Sequence, residues 1–289
     1  MTRVLSYTVP ADFDGKKLLS FLRGGIRLSL RQMRHLKTLE DGLMLNGQPV
    51  RTIDLVHTGD TVTLRLPIQG DAVEPVEMPL DILFEDEDLL VINKPAGLAM
   101  HPTHNHQGDT LANGVAWYLQ KKGVSCPQRA VGRLDKGTGG VVLCALNAFA
   151  AAKLSGKPQK EYYAVADAVL SGSGTIDVPI YRPDPMKTLR ACGDVPGAER
   201  AVTHWTALET DGVRTLVSVR PETGRTHQIR VHFASIGAPL TGDPLYGDPG
   251  EIGHQLLFCR EVVLPHPVTE ERMVFTAPLP PEFTQWKQV

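Results

Sequence analysis

The sequence predicts an α+β protein of two unequal domains, and three observations carry that reading. The 289 residues, 42% hydrophobic and 21% charged, have the composition of a soluble globular chain able to bury a large core. A net charge of −2 hides a segregation: seven basic residues and no acidic one lie between Lys16 and Lys37, whereas Asp71 to Asp88 holds eight acidic residues and no Lys or Arg. Helix and strand signals are interspersed without βαβ regularity, which predicts a mixed, mainly antiparallel sheet. The boundary falls in a Pro- and acid-rich stretch, so a small α+β domain is expected over 1–67, a linker over 68–80 and a larger domain over 81–289. Because the larger domain has the composition for its own core, it is expected to fold without the smaller one.

In the small domain, Ser29 followed by Gln32 is a capping-box pattern with Leu28 and Met33 as the staple, so a helix should start at Leu30. Leu30, Met33 and Leu36 form its apolar side, and Arg27, Arg31, Arg34 and Lys37 line most of the other. Solvated helix faces usually mix charge signs; this one, with Lys16 and Lys17 nearby, does not, which points to a polyanion such as nucleic acid. Asn46-Gly47 between apolar residues signals a hairpin, and Gly59-Asp60 precedes the alternating Thr61 to Leu66.

In the larger domain, Asp88 to Lys94 is a short apolar run stopped by Pro95-Ala-Gly97, which predicts a buried strand. Gly132 to Gly140 is a loop that presents Arg133-Leu-Asp135 just before the apolar run Val141 to Leu146. Lys160 to Val169 alternates as a strand, stops at Ser171-Gly-Ser-Gly174 and resumes at Thr175, so a hairpin is expected there. Arg220 to Phe233 is a polar turn opening a helix, because Ile229, Phe233 and Ile236 recur at helical spacing, with Arg225 at its start. Strands over 256–264 and 273–276, split by Pro265-His-Pro267, close the chain as a second hairpin.

The segments LNGQPV and HTGDTVTL, in this order after the basic helix, resemble the RNA-binding domain named after ribosomal small-subunit protein four, a module that holds structured RNA by shape and phosphate contacts. The runs ILFEDEDLLVINKPAGLAMHP, GRLDKGTGG, KEYYAV and RPETGRTHQIRVHFASIGAPLTGDPLYG resemble, in order and spacing, the RluA-type RNA pseudouridine synthases. With the first domain, the resemblance covers nearly the whole chain. It implies a pseudouridine synthase catalytic domain, a catalytic aspartate at Asp135, an active-site tyrosine at Tyr162 and an active-site arginine at Arg225. It implies no cofactor and no metal. Arg133, Arg230, Lys94 and His101 are the accompanying candidates for substrate binding, and Arg225 is the candidate guanidinium that keeps Asp135 ionised. Tyr162 offers a ring face for a flipped uracil and a phenol for proton transfer. The carboxylate either attacks covalently or stabilises charge and moves a proton. Gly132 and Gly139 depart from the family motif, which carries a histidine and a small hydroxyl residue there.

Other chemistry is disfavoured residue by residue. Cys126, Cys144, Cys192 and Cys259 lie 18, 48 and 67 apart, unlike paired zinc ligands, and read as reduced thiols. His101, His104 and His106 lie within six residues, but no carboxylate or thiol nearby completes a metal set by sequence. A glycosidase needs two opposed carboxylates, and only Asp135 stands out. No apolar run approaches the ~18 residues of a membrane helix. The expected protein is a cytoplasmic monomer acting on RNA, ribosomal first and transfer RNA second; the competing expectation is a catalytically silent RNA-binding or ribosome-assembly factor on the same fold.

Overall fold

The computed structural model describes residues 2–67, 73–103, 106–124 and 129–288. The first part of the predicted linker, His104 and Cys126 therefore lie outside the described residues.

In the small unit, β1 (Thr2–Thr8), α1 (Leu30–Lys37), β2 (Leu43–Leu45), β3 (Gln48–Pro49) and β4 (Thr61–Pro67) build a four-stranded sheet in the order β1-β4-β2-β3. The helix begins where the capping box requires: Ser29 N–H donates to Gln32 Oε1 at 2.8 Å and Gln32 N–H donates to Ser29 Oγ at 3.2 Å. Leu28, Met33 and Leu36 are buried, but Leu30, placed by the sequence on the apolar side, is 56% exposed. The β2–β3 turn uses Asn46 and Gly47 at φ 50° and 80°, the left-handed pair that a tight hairpin needs.

The larger unit contains β5 (Asp81–Glu85), β6 (Leu89–Lys94), α2 (Leu111–Lys121), β7 (Gly139–Ala145), α3 (Ala148–Leu154), β8 (Gln159–Ala166), β9 (Ser173–Asp177), β10 (Val202–Thr210), β11 (Thr215–Pro221), α4 (Gln228–Ser235), β12 (Leu257–Pro265) and β13 (Arg272–Thr276). A ten-stranded sheet runs β9-β10-β11-β8-β12-β7-β6-β5, with β13 paired to β12 and a short strand at Arg129–Ala130 paired to β7. Its neighbours are antiparallel except β7 and β12, which run parallel through Gly139↔Phe258 and Gly140↔Cys259. Gly140 has φ 108°, and a Cβ there would stand 2.2 Å from the Cys259 carbonyl oxygen, so only glycine allows the strands this approach. The closing β12–β13 hairpin is as predicted. The hairpin expected between β8 and β9 does not form: β9 pairs with β10, and β8 lies between β11 and β12. Gly172, at φ 68°, lies in the turn that leads into β9, and the long β10–β11 ladder stands between β8 and β9 in the sheet.

The two units touch. Arg3 on β1 gives Nε and Nη2 to the Asp88 carboxylate at 3.1 and 2.8 Å, and Asn147 Nδ2 donates to the same group at 2.7 Å. Phe149 of α3 is fully buried in the small unit's core with Leu5, Leu36 and Leu64. The units are thus docked through a paired charge and a shared aromatic, not merely strung on a linker.

Candidate active site

Asp135 sits on the loop that leads from Gly132 into β7. Its backbone carbonyl accepts the Thr138 N–H at 3.0 Å, closing a turn, and its side chain is 22% exposed. The next carbonyl, of Lys136, is gripped from behind by the Gly97 N–H at 2.8 Å and by Lys94 Nζ at 3.2 Å. Lys94 is fully buried and also donates to the carbonyls of Pro95 and Leu98 at 2.9 and 2.8 Å. It is a clamp beneath the loop and lines a neighbouring hollow rather than the cleft in front of Asp135, so it stands behind the expected substrate site and not in it. Burial pulls its pKa down to about 7, against the opposing pull of Asp135.

In front of Asp135 lies a small cleft of about 80 Å³ that opens to solvent. Tyr162, Arg133, Arg225, His227 and Arg230 share its walls with Asp135. Tyr162 reaches it from a bulge in β8, where the register shifts between Glu161 and Tyr162. Burial, with Cys259 and Asp135 adding to it, holds the phenol well above its ordinary pKa, so it stays protonated and is a donor and ring face rather than a phenolate base.

The guanidinium on Asp135 is Arg230, not Arg225. Arg230 Nη1 lies 3.3 Å from Asp135 Oδ2, while its Nε and Nη2 bind the two oxygens of Asp243 at 2.7 Å each. Asp243 is wholly buried, accepts the N–H groups of Leu245 and Tyr246 as well, and so fixes the guanidinium plane. Burial would lower the Arg230 pKa; the two carboxylates outweigh it and the net shift is upward. Arg225 instead pairs with Glu199 at 2.7 Å and donates to the Arg200 carbonyl at 3.1 Å. The physical reason is where α4 begins. Its first residue is Gln228, so Arg225 belongs to the preceding turn at the cleft rim, and Arg230 is the arginine whose helical position faces inward.

Arg133 is exposed and donates to the Thr226 hydroxyl, bridging the two walls of the cleft. His101 is on an exposed loop and does not line the cleft. His106 pairs with Asp109 at 2.6 Å. The glycine at 132 has a cause: its φ is 81°, and a Cβ would come within 3.2 Å of the Lys160 ammonium, which occupies the space a side chain there would take. Sequence reasoning missed Asp243, His227 and Tyr246; each falls in the quoted runs, but nothing in a linear pattern shows that they meet.

Asp86, Asp88 and His266 are the one group of possible metal ligands among the described residues, and their lone pairs are already engaged. His266 Nε2 lies 2.9 Å from Asp86, its Nδ1 accepts from Val268 and Thr269, and Asp88 holds Arg3 and Asn147. Lys16, Lys17, Arg27, Arg31, Arg34 and Lys37 are all exposed, and none joins an ion pair within 4 Å among the described residues. Among the described residues, no helix is long and apolar enough to cross a membrane.

Comparison with known proteins gives a consistent result. Residues 88–235 match the family model described as RNA pseudouridylate synthase. An uncharacterized RNA pseudouridine synthase of Bacillus subtilis is 38% identical, over 96% of this chain and 94% of its own. The ribosomal large subunit pseudouridine synthase D of Pseudomonas aeruginosa is 36% identical, over 85% of this chain and 83% of its own. Among solved structures, human RNA pseudouridylate synthase domain containing 4 superimposes with a TM-score of 0.57 at 26% identity, covering 71% of this chain and 90% of that one.

Proposed function

The chain belongs to the RNA pseudouridylate synthase family, and we propose that it isomerises uridines of ribosomal RNA with Asp135 as its catalytic carboxylate and without a cofactor. The observation that carries the site assignment is the convergence of Asp135, its partner Arg230 and the buried Tyr162 on one cleft.

The reaction breaks the bond from ribose C1′ to uracil N1, turns the base in place, joins C1′ to C5 and moves the C5 proton away while N1 regains one. The atoms of the nucleotide are conserved. A carboxylate is needed where C1′ becomes electron-poor. Arg230 Nη1 engages Oδ2 of Asp135 and offsets its charge, leaving Oδ1 to face the sugar. Tyr162 offers its ring face to the extruded base, the usual way a flipped nucleotide is held. Extrusion costs a few kcal/mol and is cheapest in loops and bulges. Arg133 and Arg225, at the exposed rim, suit the phosphates on either side of the target. The small unit, with its unpaired cationic face on α1, adds sequence-independent affinity in the manner of a ribosomal-protein-like RNA-binding domain. The protein acts as a cytoplasmic monomer in this reading. The competing role of a silent RNA-binding factor has no support in the cleft, which is open and carries its carboxylate in place.

The test is to map pseudouridine in ribosomal and transfer RNA from cells with and without the protein, then to treat RNA from the deficient cells with purified parent and Asp135→Asn enzymes. Restoration by the parent alone, at positions in ribosomal RNA, is the expected result. No lost position in the deficient cells, or restoration by both enzymes, overturns the reading.

A further inference from the structure

His227 stands at the N-terminal end of α4 with a backbone that a side chain rarely adopts. Its φ of 57° and ψ of 19° are left-handed, a strain that persists only when surrounding structure enforces it. Nothing about starting a helix requires it, since its side chain caps no backbone N–H. The imidazole is half-buried, lines the cleft and lies close enough to Asp135 to feel its charge.

The ring is also engaged at one nitrogen. Tyr246 Oη lies 3.0 Å from His227 Nδ1 and accepts the Arg190 backbone N–H at 2.9 Å. The hydroxyl keeps its own hydrogen free to donate to Nδ1, an arrangement that leaves the ring proton on Nε2. Tyr246 is fixed in turn: its ring lies 5.3 Å from the Arg230 guanidinium, and its backbone N–H donates to Asp243. Burial lowers the His227 pKa, which keeps the ring neutral. A single chain of contacts therefore runs from Asp135 through Arg230, Asp243 and Tyr246 to His227, and no group of the protein among the described residues accepts from Nε2.

We propose that His227 Nε2–H is a substrate-reading donor that hydrogen-bonds a carbonyl oxygen of the flipped uracil, with Tyr246 setting its tautomer. A neutral donor suits a carbonyl, whereas the phosphates are served by the cationic rim. Where the oxygen read is O4, the same donor opposes the amino group that cytosine presents there and selects uracil; where it is O2, which cytosine shares, it positions the base without that selection. This rests on the cleft being the nucleotide site.

The test uses two variants that keep the left-handed backbone. His227→Gly removes the donor and relieves the strain; His227→Asn retains a short donor. The probe is a synthetic RNA around a mapped target position, carrying uridine, 2-thiouridine or 4-thiouridine there, since sulfur accepts hydrogen bonds weakly. The parent is expected to lose about tenfold in kcat/KM on one of the two thio substrates, the size of one hydrogen bond to a neutral group. His227→Gly is expected to show a similar loss on uridine, no further loss with sulfur, and an unchanged or higher melting temperature. His227→Asn should recover part of the uridine rate. A parent indifferent to both thio substitutions, or a His227→Gly enzyme with parental turnover, overturns the proposal. Asp135→Asn is assayed alongside: turnover surviving there refutes the cleft itself, whereas its loss with normal His227→Gly turnover refutes only the role of His227.

Discussion

Arg230 divides one guanidinium between two carboxylates, gripping Asp243 with two nitrogens at 2.7 Å and offering the third to Asp135 at 3.3 Å. The first contact is structural and the second is available to chemistry.

Asp135→Asn should abolish pseudouridine formation, because positioning alone cannot replace a carboxylate. RNA affinity should stay within a few-fold, since phosphates supply most of it. Melting temperature should hold or rise slightly, as Arg230 keeps its bidentate partner when Asp135 is neutralised. Turnover, filter binding and a thermal melt on one purified variant check all three.

Arg230→Met and Arg225→Met should differ sharply in stability. The first strands the wholly buried Asp243 without its counter-ion, at a cost of about 3–5 kcal/mol. The second loses a largely exposed pair with Glu199, at about 0–1 kcal/mol. Denaturant titrations rank them, and equal losses would contradict the assignment of Arg230 as the buried counter-ion.

Lys94 makes stability depend on pH with a definite sign. Its pKa is about 7 in the folded protein, below the ordinary lysine value, so between these limits the unfolded chain holds more protons. Folding stability should therefore rise from about pH 7 to about pH 10, by at most about 1.4 kcal/mol per pH unit. Lys94→Met should flatten that rise relative to the parent in urea titrations at matched pH, while weakening the loop that carries Asp135.

Replacing Arg27, Arg31 and Arg34 with glutamine should weaken RNA binding and reduce the slope of log affinity against log salt by about 2 to 3, one phosphate contact each. Turnover at saturating RNA should change little. An unchanged salt slope would remove the cationic face of α1 from the interface.

Cutting away residues 2–67 should lower the melting temperature of the remainder, contrary to the independence that composition suggests. Asp88 would lose Arg3, and Phe149 would be left without the core that covers it. Calorimetry of the shortened chain, with Arg3→Ala as the milder comparison, measures the docking directly.

How much of this was legible in the chain differs by physical scale. The Ser29–Gln32 cap and the Asn46-Gly47 turn were readable because both are local: the bonds involved span three residues or fewer. The order of strands was not, since β8 and β9 are sequence neighbours separated in the sheet by β10 and β11, a choice made by long-range pairing. Asp135 and Tyr162 were singled out by motif, and the fold brings both to one cleft. The exchange of Arg225 for Arg230 turned on where a helix begins, a boundary that hydrophobic periodicity sets poorly. Lys94 looked like a ligand-binding cation because burial with three carbonyl acceptors leaves no trace in sequence.

The parallel join of β7 to β12 sets the cleft at a seam in the sheet. Only two residue pairs span it, against six on each flanking ladder, so the sheet consists of two antiparallel plates joined at a narrow seam. Asp135 leads into one plate and Tyr162 belongs to the other. The carboxylate and the ring therefore approach each other from opposite sides of a two-rung seam, and the cleft exists because two separately paired halves of one sheet meet there.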